Sequence, residues 1–280
     1  MDLEPADFGI PEVTELPLHT DHARKVAAVL DNRSELQDGG SLPVLWHWAF
    51  GTPTAPTRAL GPDGHPEIPP GGPTEGLPRR MWAGGRVRVL GDLRLGTRPT
   101  RVSSVLRADR KQARSGDLLV VTVEHRLTHD GRTLLIEEQD LVYRAQGAPV
   151  PAPQGTHREP APENGWAEDL LRTPVDLFRF SAVTFNSHRI HYDHAYATAE
   201  EGYPALVVHG PLSAMTLAES VRARTGRELT EFSFRATAPL FVGLPFTIVG
   251  APSAEKNVYD LKLVRNDGQT AMTATARVAD

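Results

Sequence analysis

Two stretches of this chain repeat one another, and the repeat limits the fold more than any other feature of the sequence. Arg86 to Gly96 alternates toward a turn and leads to Val102, and Phe232 to Gly243 does the same and leads to Val249. The offset that aligns Gly96 with Gly243 also brings Arg88 onto Arg235 and Leu93 onto Leu240. Further along, alternating runs from Leu118 to Leu127 and from Lys256 to Val264 approach Asp130-Gly131 and Asp267-Gly268, each followed by another strand. Asp-Gly between alternating runs signals a hairpin, because the tight turn needs residues that tolerate positive φ. A fixed internal period means that one supersecondary unit is used twice. Two copies of one antiparallel unit are therefore expected.

Helical sequence precedes the strands in each copy. In the first, Thr20 or Asp21 can cap a helix whose Ala23, Val26, Ala27 and Leu30 share one face. In the second, Gly210 and Pro211 open a helix carrying Ala214, Leu217, Ala218 and Val221, and Gly226 closes it. Leu212 to Ala218 is apolar around most of its circumference, which predicts a buried helix wrapped by a curved sheet. The pattern predicts an α+β fold, a double hot-dog of two tandem curved antiparallel sheets, each wrapped on a helix. The boundary between the copies is expected at Gly147 to Gly165, which is dense in proline and polar residues and has no periodic apolar pattern. This divides the chain into a first unit over 1–146, a linker over 147–165 and a second unit over 166–280. A second Pro- and Gly-rich stretch, Thr52 to Pro78, falls inside the first unit and is expected to be a long loop, a lid or cover.

Composition narrows the function. The net charge of −5 is modest and the basic residues are scattered among acidic ones, which gives no support to a nucleic-acid partner. With no cysteine, disulfides, thiolate metal sites and cysteine nucleophiles are excluded. The first residues are acidic and lack the apolar core of a signal peptide, and no apolar run is long enough to span a bilayer. A cytoplasmic protein is expected.

The chemistry is concentrated in Phe180 to Asp193 and in Tyr203 to Leu212. The run Thr184-Phe-Asn-Ser-His-Arg-Ile-His-Tyr-Asp193 resembles the signature of the MaoC-like enoyl-thioester hydratases and dehydratases, in which an acidic residue is followed five positions later by histidine. With Leu42 to Phe50 and Arg79 to Gly85 added, the chain is most similar to the double-hot-dog branch of that family. This branch includes mesaconyl-C4-CoA and itaconyl-CoA hydratases and mitochondrial-type 3-hydroxyacyl-thioester dehydratases. The resemblance implies that His191 is the catalytic histidine and that Asn186 stands where the wider family has Asp. An amide cannot exchange a proton as a carboxyl group does, so Asn186 is expected only to orient water or substrate, with His191 as the principal acid/base. It also implies that His209-Gly210 opens the buried helix, where the Gly210 N–H can stabilise an enolate-like thioester oxygen. The implied substrate is an acyl-CoA, with C5 dicarboxylyl-CoA thioesters foremost. CoA belongs to that substrate, so no separate cofactor and no metal are expected.

Other residues have plainer readings. His188, His194 and His209 are by default structural, with His209, beside Gly210, also a candidate substrate contact, and Asp193 is expected to cap a short helix over Tyr196 to Glu200. Trp46, His47, Trp48 and Trp82 suit a core or an acyl-lining wall. Arg79, Arg80 and Arg189 are ordinary solvated charges unless CoA phosphates or a second carboxylate of the substrate need them. The first half has no Asn and His five apart, so it is expected to have lost catalysis and to shape the acyl pocket. The alternatives are a medium-chain 3-hydroxyacyl thioester dehydratase, a non-catalytic acyl-CoA-binding protein and a thioesterase. Both a monomer and a homodimer fit a tandem duplication.

Overall fold

Among the described residues, ten strands form one continuous sheet whose order is a mirror image about its centre: β1-β3-β4-β5-β2 on one side and β7-β10-β9-β8-β6 on the other. The computed structural model describes residues 3–67, 71–113 and 116–280. The first half contributes β1 (Val13–Glu15), α1 (Thr20–Val29), β2 (Arg79–Val89), β3 (Thr100–Ala113), β4 (Gly116–His129) and β5 (Arg132–Arg144). The second contributes β6 (Trp166–Leu170), α2 (Pro174–Thr184), α3 (Gly210–Thr225), β7 (Leu229–Ala236), β8 (Phe246–Pro252), β9 (Val258–Arg265) and β10 (Thr270–Val278). All ladders are antiparallel, and the halves meet where Gly84 to Arg88 of β2 pair with Arg235 to Glu231 of β7. That ladder joins the two halves into one sheet within a single chain.

The sequence repeat is visible in the backbone. Gly96 and Gly243 have φ of 86° and 78°, a left-handed conformation that glycine adopts without steric cost. The isolated bridges Ser41↔Arg94 and Val207↔Phe241 fall at matching places after β2 and β7. The β4–β5 hairpin turns at Asp130-Gly131, both with positive φ as a two-residue turn requires.

α3 lies against β7, β8, β9 and β10, with Leu212, Ala214, Met215, Leu217, Ala218 and Val221 fully buried. Each large apolar side chain so buried stabilises the fold by about 1.5–3 kcal/mol. Its interior hydroxyls are satisfied locally: Ser213 and Thr216 donate to the carbonyls of His209 and Leu212. α1 packs instead on α2 and on the helical turn Trp46–Ala49. In the first half a buried polar network takes over part of the core. Glu137 accepts from His47 Nε2–H at 2.9 Å, Trp48 Nε1–H at 2.8 Å and Gln139 Nε2–H at 3.0 Å. Burial works against its charge, but the bond and charge of His47, together with His125 and Gln139, outweigh that and hold the carboxyl at about 2.

Residues 145–165 contain no helix or strand, and the segment is pinned along the second half by Val150 N–H to Gly202 O and His157 N–H to Asn266 O, both 2.8 Å. Among the described residues, no helix is long and apolar enough to cross a membrane.

Candidate active site

α2 begins with a capping box between Thr173 and Asp176 and ends at Phe185, whose φ of 49° breaks the helix and turns the chain back toward α3. The turn is fastened by Asn186 N–H to Ser181 O at 2.9 Å. Asn186 Oδ1 then accepts the His188 N–H at 2.9 Å, which leaves the side-chain NH2 as the end able to donate elsewhere.

The next helical turn, Arg189–His191, is held to the strand-like segment before α3 from both sides. Val207 N–H donates to Ile190 O at 3.0 Å, and His191 Nδ1–H donates to Val207 O at 2.7 Å. A ring nitrogen facing a carbonyl must carry the proton, so His191 presents Nε2 as a lone pair. Burial disfavours the charged ring and lowers its pKa to about 4, against the smaller opposing effect of the Val207 bond. His191 is therefore neutral at pH 7. His209 stacks on it at 3.6 Å between centroids, is itself fully buried, and shares a 2.9 Å hydrogen bond with Ser181 Oγ. Burial first, and then the neighbouring His191 and His188, keep His209 uncharged as well.

Gly210 is the first residue of α3, so its N–H has no acceptor in a preceding helical turn and points out of the positive end of the helix. Opposite it stands Trp82 of β2: a Cβ on Gly210 would lie 3.4 Å from the Trp82 ring. Trp82 packs edge-on against Trp48 at 4.6 Å and against Phe234 at 4.8 Å. The first half thus supplies the wall facing the α3 amino terminus.

The Pro- and Gly-rich loop of the first half lies across this segment; its residues 68–70 fall outside the described ones. Asp63 O accepts the Arg189 N–H at 2.8 Å, Pro62 O accepts from the Arg189 guanidinium at 2.9 Å, and Ser187 Oγ–H donates to Gly64 O. Contact at Gly64 is so close that a Cβ would meet Ser187 O at 2.0 Å, and its φ is +88°. The loop carries His65 onto His188 with ring centroids 4.1 Å apart, and His188 in turn meets His191 edge-on at 5.4 Å. His65 Nδ1–H donates to Asp63 Oδ2 at 3.1 Å. Burial raises the Asp63 pKa, but the hydrogen bonds and charge of His65 outweigh it and hold the carboxyl below its ordinary value. Burial lowers His188 strongly, leaving it a neutral imidazole. Asp63, His65 and His188 each offer one ligand-type atom within 4.8 Å of the others, an arrangement that could hold a metal ion.

The structure sorts the other expected residues. Arg189 is committed to Asp193 at 2.7 Å and to the Tyr196 ring, so it braces the loop rather than facing a ligand. Arg79 is buried and paired with Glu201 at 3.0 Å. Trp46 is fully buried and donates to Glu219 of α3 at 2.9 Å, so it joins the halves and lines no acyl wall. Asp193 Oδ1 accepts the Tyr196 N–H at 3.1 Å at the start of the turn Tyr196–Glu200, and His194 is exposed. Arg80 differs from its neighbours. It is half-buried, has no hydrogen bond or ion pair among the described residues, and acts electrostatically on both His188 and Tyr143. Tyr143, its cross-strand partner on β5, is buried with a hydroxyl that has no partner among the described residues. Tyr143, Asp63 and His65 escaped the sequence reading. A groove of about 650 Å³ over β2, β7, β9 and β10 is lined by Arg86, Arg235 and Lys262 but by none of these histidines. The convergent polar groups, not the volume, mark the site.

The chain is similar to known proteins. Residues 45–242 match the family of hydroxyacyl-thioester dehydratase type 2. The mesaconyl-C(4)-CoA hydratase of Chloroflexus aurantiacus is 43% identical over 273 residues, covering 97% of this chain and 96% of that one. Among solved structures, HtdX from Mycobacterium tuberculosis superposes with a TM-score of 0.67 at 18% identity, covering 95% of this chain and 99% of that chain. A MaoC-like dehydratase from Phytophthora capsici gives 0.69 at 13% identity, covering 96% and 95%. At those identities the structures speak for the fold.

Proposed function

The chain belongs to the hydroxyacyl-thioester dehydratase type 2 family, and from that premise we propose that it hydrates a branched C5 dicarboxylyl-CoA, such as mesaconyl-C4-CoA or itaconyl-CoA. It is a hydratase/dehydratase, an enzyme of acyl-thioester chemistry. The observation that carries the mechanism is the bond from His191 to Val207, which aims an unprotonated Nε2 into the site.

In this reading water is held between His191 Nε2 and the Asn186 amide. Its oxygen bonds to the β-carbon while Nε2 takes one of its protons. The electron pair of the double bond moves toward the thioester, whose carbonyl oxygen is stabilised by the Gly210 N–H at the head of α3. The imidazolium then returns its proton to the α-carbon, and dehydration is the reverse. An imidazole whose pKa is about 4 is neutral before the step and, once protonated, more acidic than a free imidazolium, which favours that return. Asn186 moves no proton. His209 is a positioning residue: stacked on His191 and bonded to Ser181, it fixes the plane of the ring.

Arg80 and the Tyr143 hydroxyl supply the preference for a second carboxylate. Arg80 lies two residues from Trp82 on β2, about 6.6 Å along the strand, and therefore flanks the wall that faces Gly210. A guanidinium and a phenol that have no partner among the described residues suit a carboxylate, and an apolar fatty chain would satisfy neither. No cofactor is needed beyond the CoA of the substrate, and we place the reaction in the cytoplasm.

The test is direct. The protein is incubated with mesaconyl-C4-CoA and with crotonyl-CoA, and the enoyl absorbance and free thiol are followed. Loss of absorbance without thiol, faster with the dicarboxylyl substrate, is expected. Thiol release would make the protein a thioesterase, and no change with any thioester would make it a binding protein.

A further inference from the structure

The cluster of Asp63, His65 and His188 plays no part in the chemistry above. It joins two parts of the chain far apart in sequence, the cover loop of the first half and the catalytic segment of the second. Two imidazoles and one carboxylate, with ligand-type atoms within 4.8 Å of one another, form a borderline nitrogen and oxygen donor set. Such a set suits zinc, cobalt or nickel and is a poor match for calcium or magnesium, which favour oxygen cages. Ligand atoms around a tetrahedral zinc stand roughly 3.4 Å apart, given bonds of about 2.0–2.2 Å. Contraction by about 1.4 Å is within the range of rotation of these side chains, and the Asp63–His65 hydrogen bond would give way to coordination.

One further feature supports a ligand role: the loop is already seated by hydrogen bonds to Ser187 and Arg189, so little ordering remains for a metal to impose.

We propose that Asp63, His65 and His188 bind a divalent transition metal of the zinc type, which clamps the cover loop onto the catalytic segment and slows turnover. A dication here would stand next to the ring that contacts His191. It would also fasten the loop across the segment that must admit the thioester. The site would make the enzyme sensitive to metal without making metal part of the reaction.

Binding is measured on the full chain by calorimetry with Zn2+ and by the visible absorption of Co2+, and turnover with crotonyl-CoA is measured with and without Zn2+. Only the turnover arm rests on the proposed hydratase activity. One metal per chain is expected, with a cobalt spectrum of four-coordinate type. His65→Ala and the near-isosteric Asp63→Asn should each weaken affinity by at least the roughly 10–100-fold that loss of an outer-shell partner causes, and should abolish the Zn2+ effect within that variant. His157→Ala, at an exposed His–Glu pair elsewhere, should leave affinity unchanged. Equal binding by wild type and both loop variants, or no binding by wild type, overturns the site. Stoichiometric binding with unaltered turnover overturns the clamp.

Discussion

His191 Nδ1–H donates to the carbonyl oxygen of Val207 at 2.7 Å, and this one bond decides which face of the ring is basic. Val207 N–H returns a bond to Ile190, so the acceptor cannot drift from the turn that carries the histidine. His191→Ala should lower kcat by about 10²–10⁴-fold, the usual value of a positioned acid/base, without unfolding the protein. Asn186→Asp should retain turnover, because it restores the carboxyl of the wider family. Steady-state kinetics with circular dichroism as the folding control check both; near-normal kcat in His191→Ala removes the histidine from the mechanism.

The same histidine makes stability depend on pH. An unfolded histidine takes up its proton near pH 6.5, whereas folded His191 does so only near 4. Between those values the unfolded state binds more protons, so stability falls as pH drops from about 6.5 to about 4. The loss is about 3 kcal/mol for His191 alone. His188 and His209 are shifted the same way and add to it. Urea midpoints should decline steadily between pH 7 and 5, and His209→Asn should flatten that decline.

Much of this architecture was legible because it is periodic. Alternation and Asp-Gly turns announced the strands, the Pro211 to Gly226 bracket announced α3, and the Asn186 to His191 run marked the segment on which His188, His191 and His209 converge. Nothing periodic announced Asp63 and His65, since a loop rich in Pro and Gly has no preferred face and its contact with Ser187 spans 123 residues. Pairing between side chains was also hidden. Arg79 and Arg80 are adjacent and chemically identical in sequence, and only the fold shows that one is spent on Glu201. Trp46 and Trp48 likewise sit two apart yet serve different carboxylates, Glu219 and Glu137.

The two arginines should therefore fail differently. Arg80→Gln should raise KM for mesaconyl-C4-CoA roughly 10–100-fold, the equivalent of a charged hydrogen bond of about 1.5–3 kcal/mol, and leave crotonyl-CoA kinetics nearly unchanged. Arg79→Gln leaves Glu201 without its partner and should cost stability, by about 3–5 kcal/mol, with both substrates affected alike. Equal losses on both substrates for Arg80→Gln would argue against a carboxylate subsite.

Gly64 tests the cover loop. Alanine there is strained by the φ of +88° and would drive its Cβ into Ser187 O, so the loop must lift. The core lies elsewhere, so Tm should move little. Amide exchange at Ser187 to Arg189 should accelerate and KM should change, because the loop lies across the segment that carries His191. Unaltered exchange at those amides would mean that the loop is not seated there in solution.

Glu219 tests how the halves are joined. From the third turn of α3 it accepts Trp46 Nε1–H at 2.9 Å and Asn32 Nδ2–H at 2.7 Å from the first half, and it pairs with Arg222 of its own helix. Arg222 in turn donates to Val44 O at 2.7 Å. Glu219→Ala leaves the Trp46 indole N–H without its acceptor and leaves Arg222 with only the Val44 carbonyl and Glu228 at 3.5 Å, a loss of about 1–3 kcal/mol. Glu219→Gln keeps one carbonyl oxygen and should lose less. Because Glu219 lies more than two helical turns from Gly210, kcat of the folded fraction should be close to wild type in both. If kcat falls while the denaturation midpoint holds, the Trp46 contact shapes the acyl pocket after all, and the role of Trp46 as a tie between the halves would have to be withdrawn.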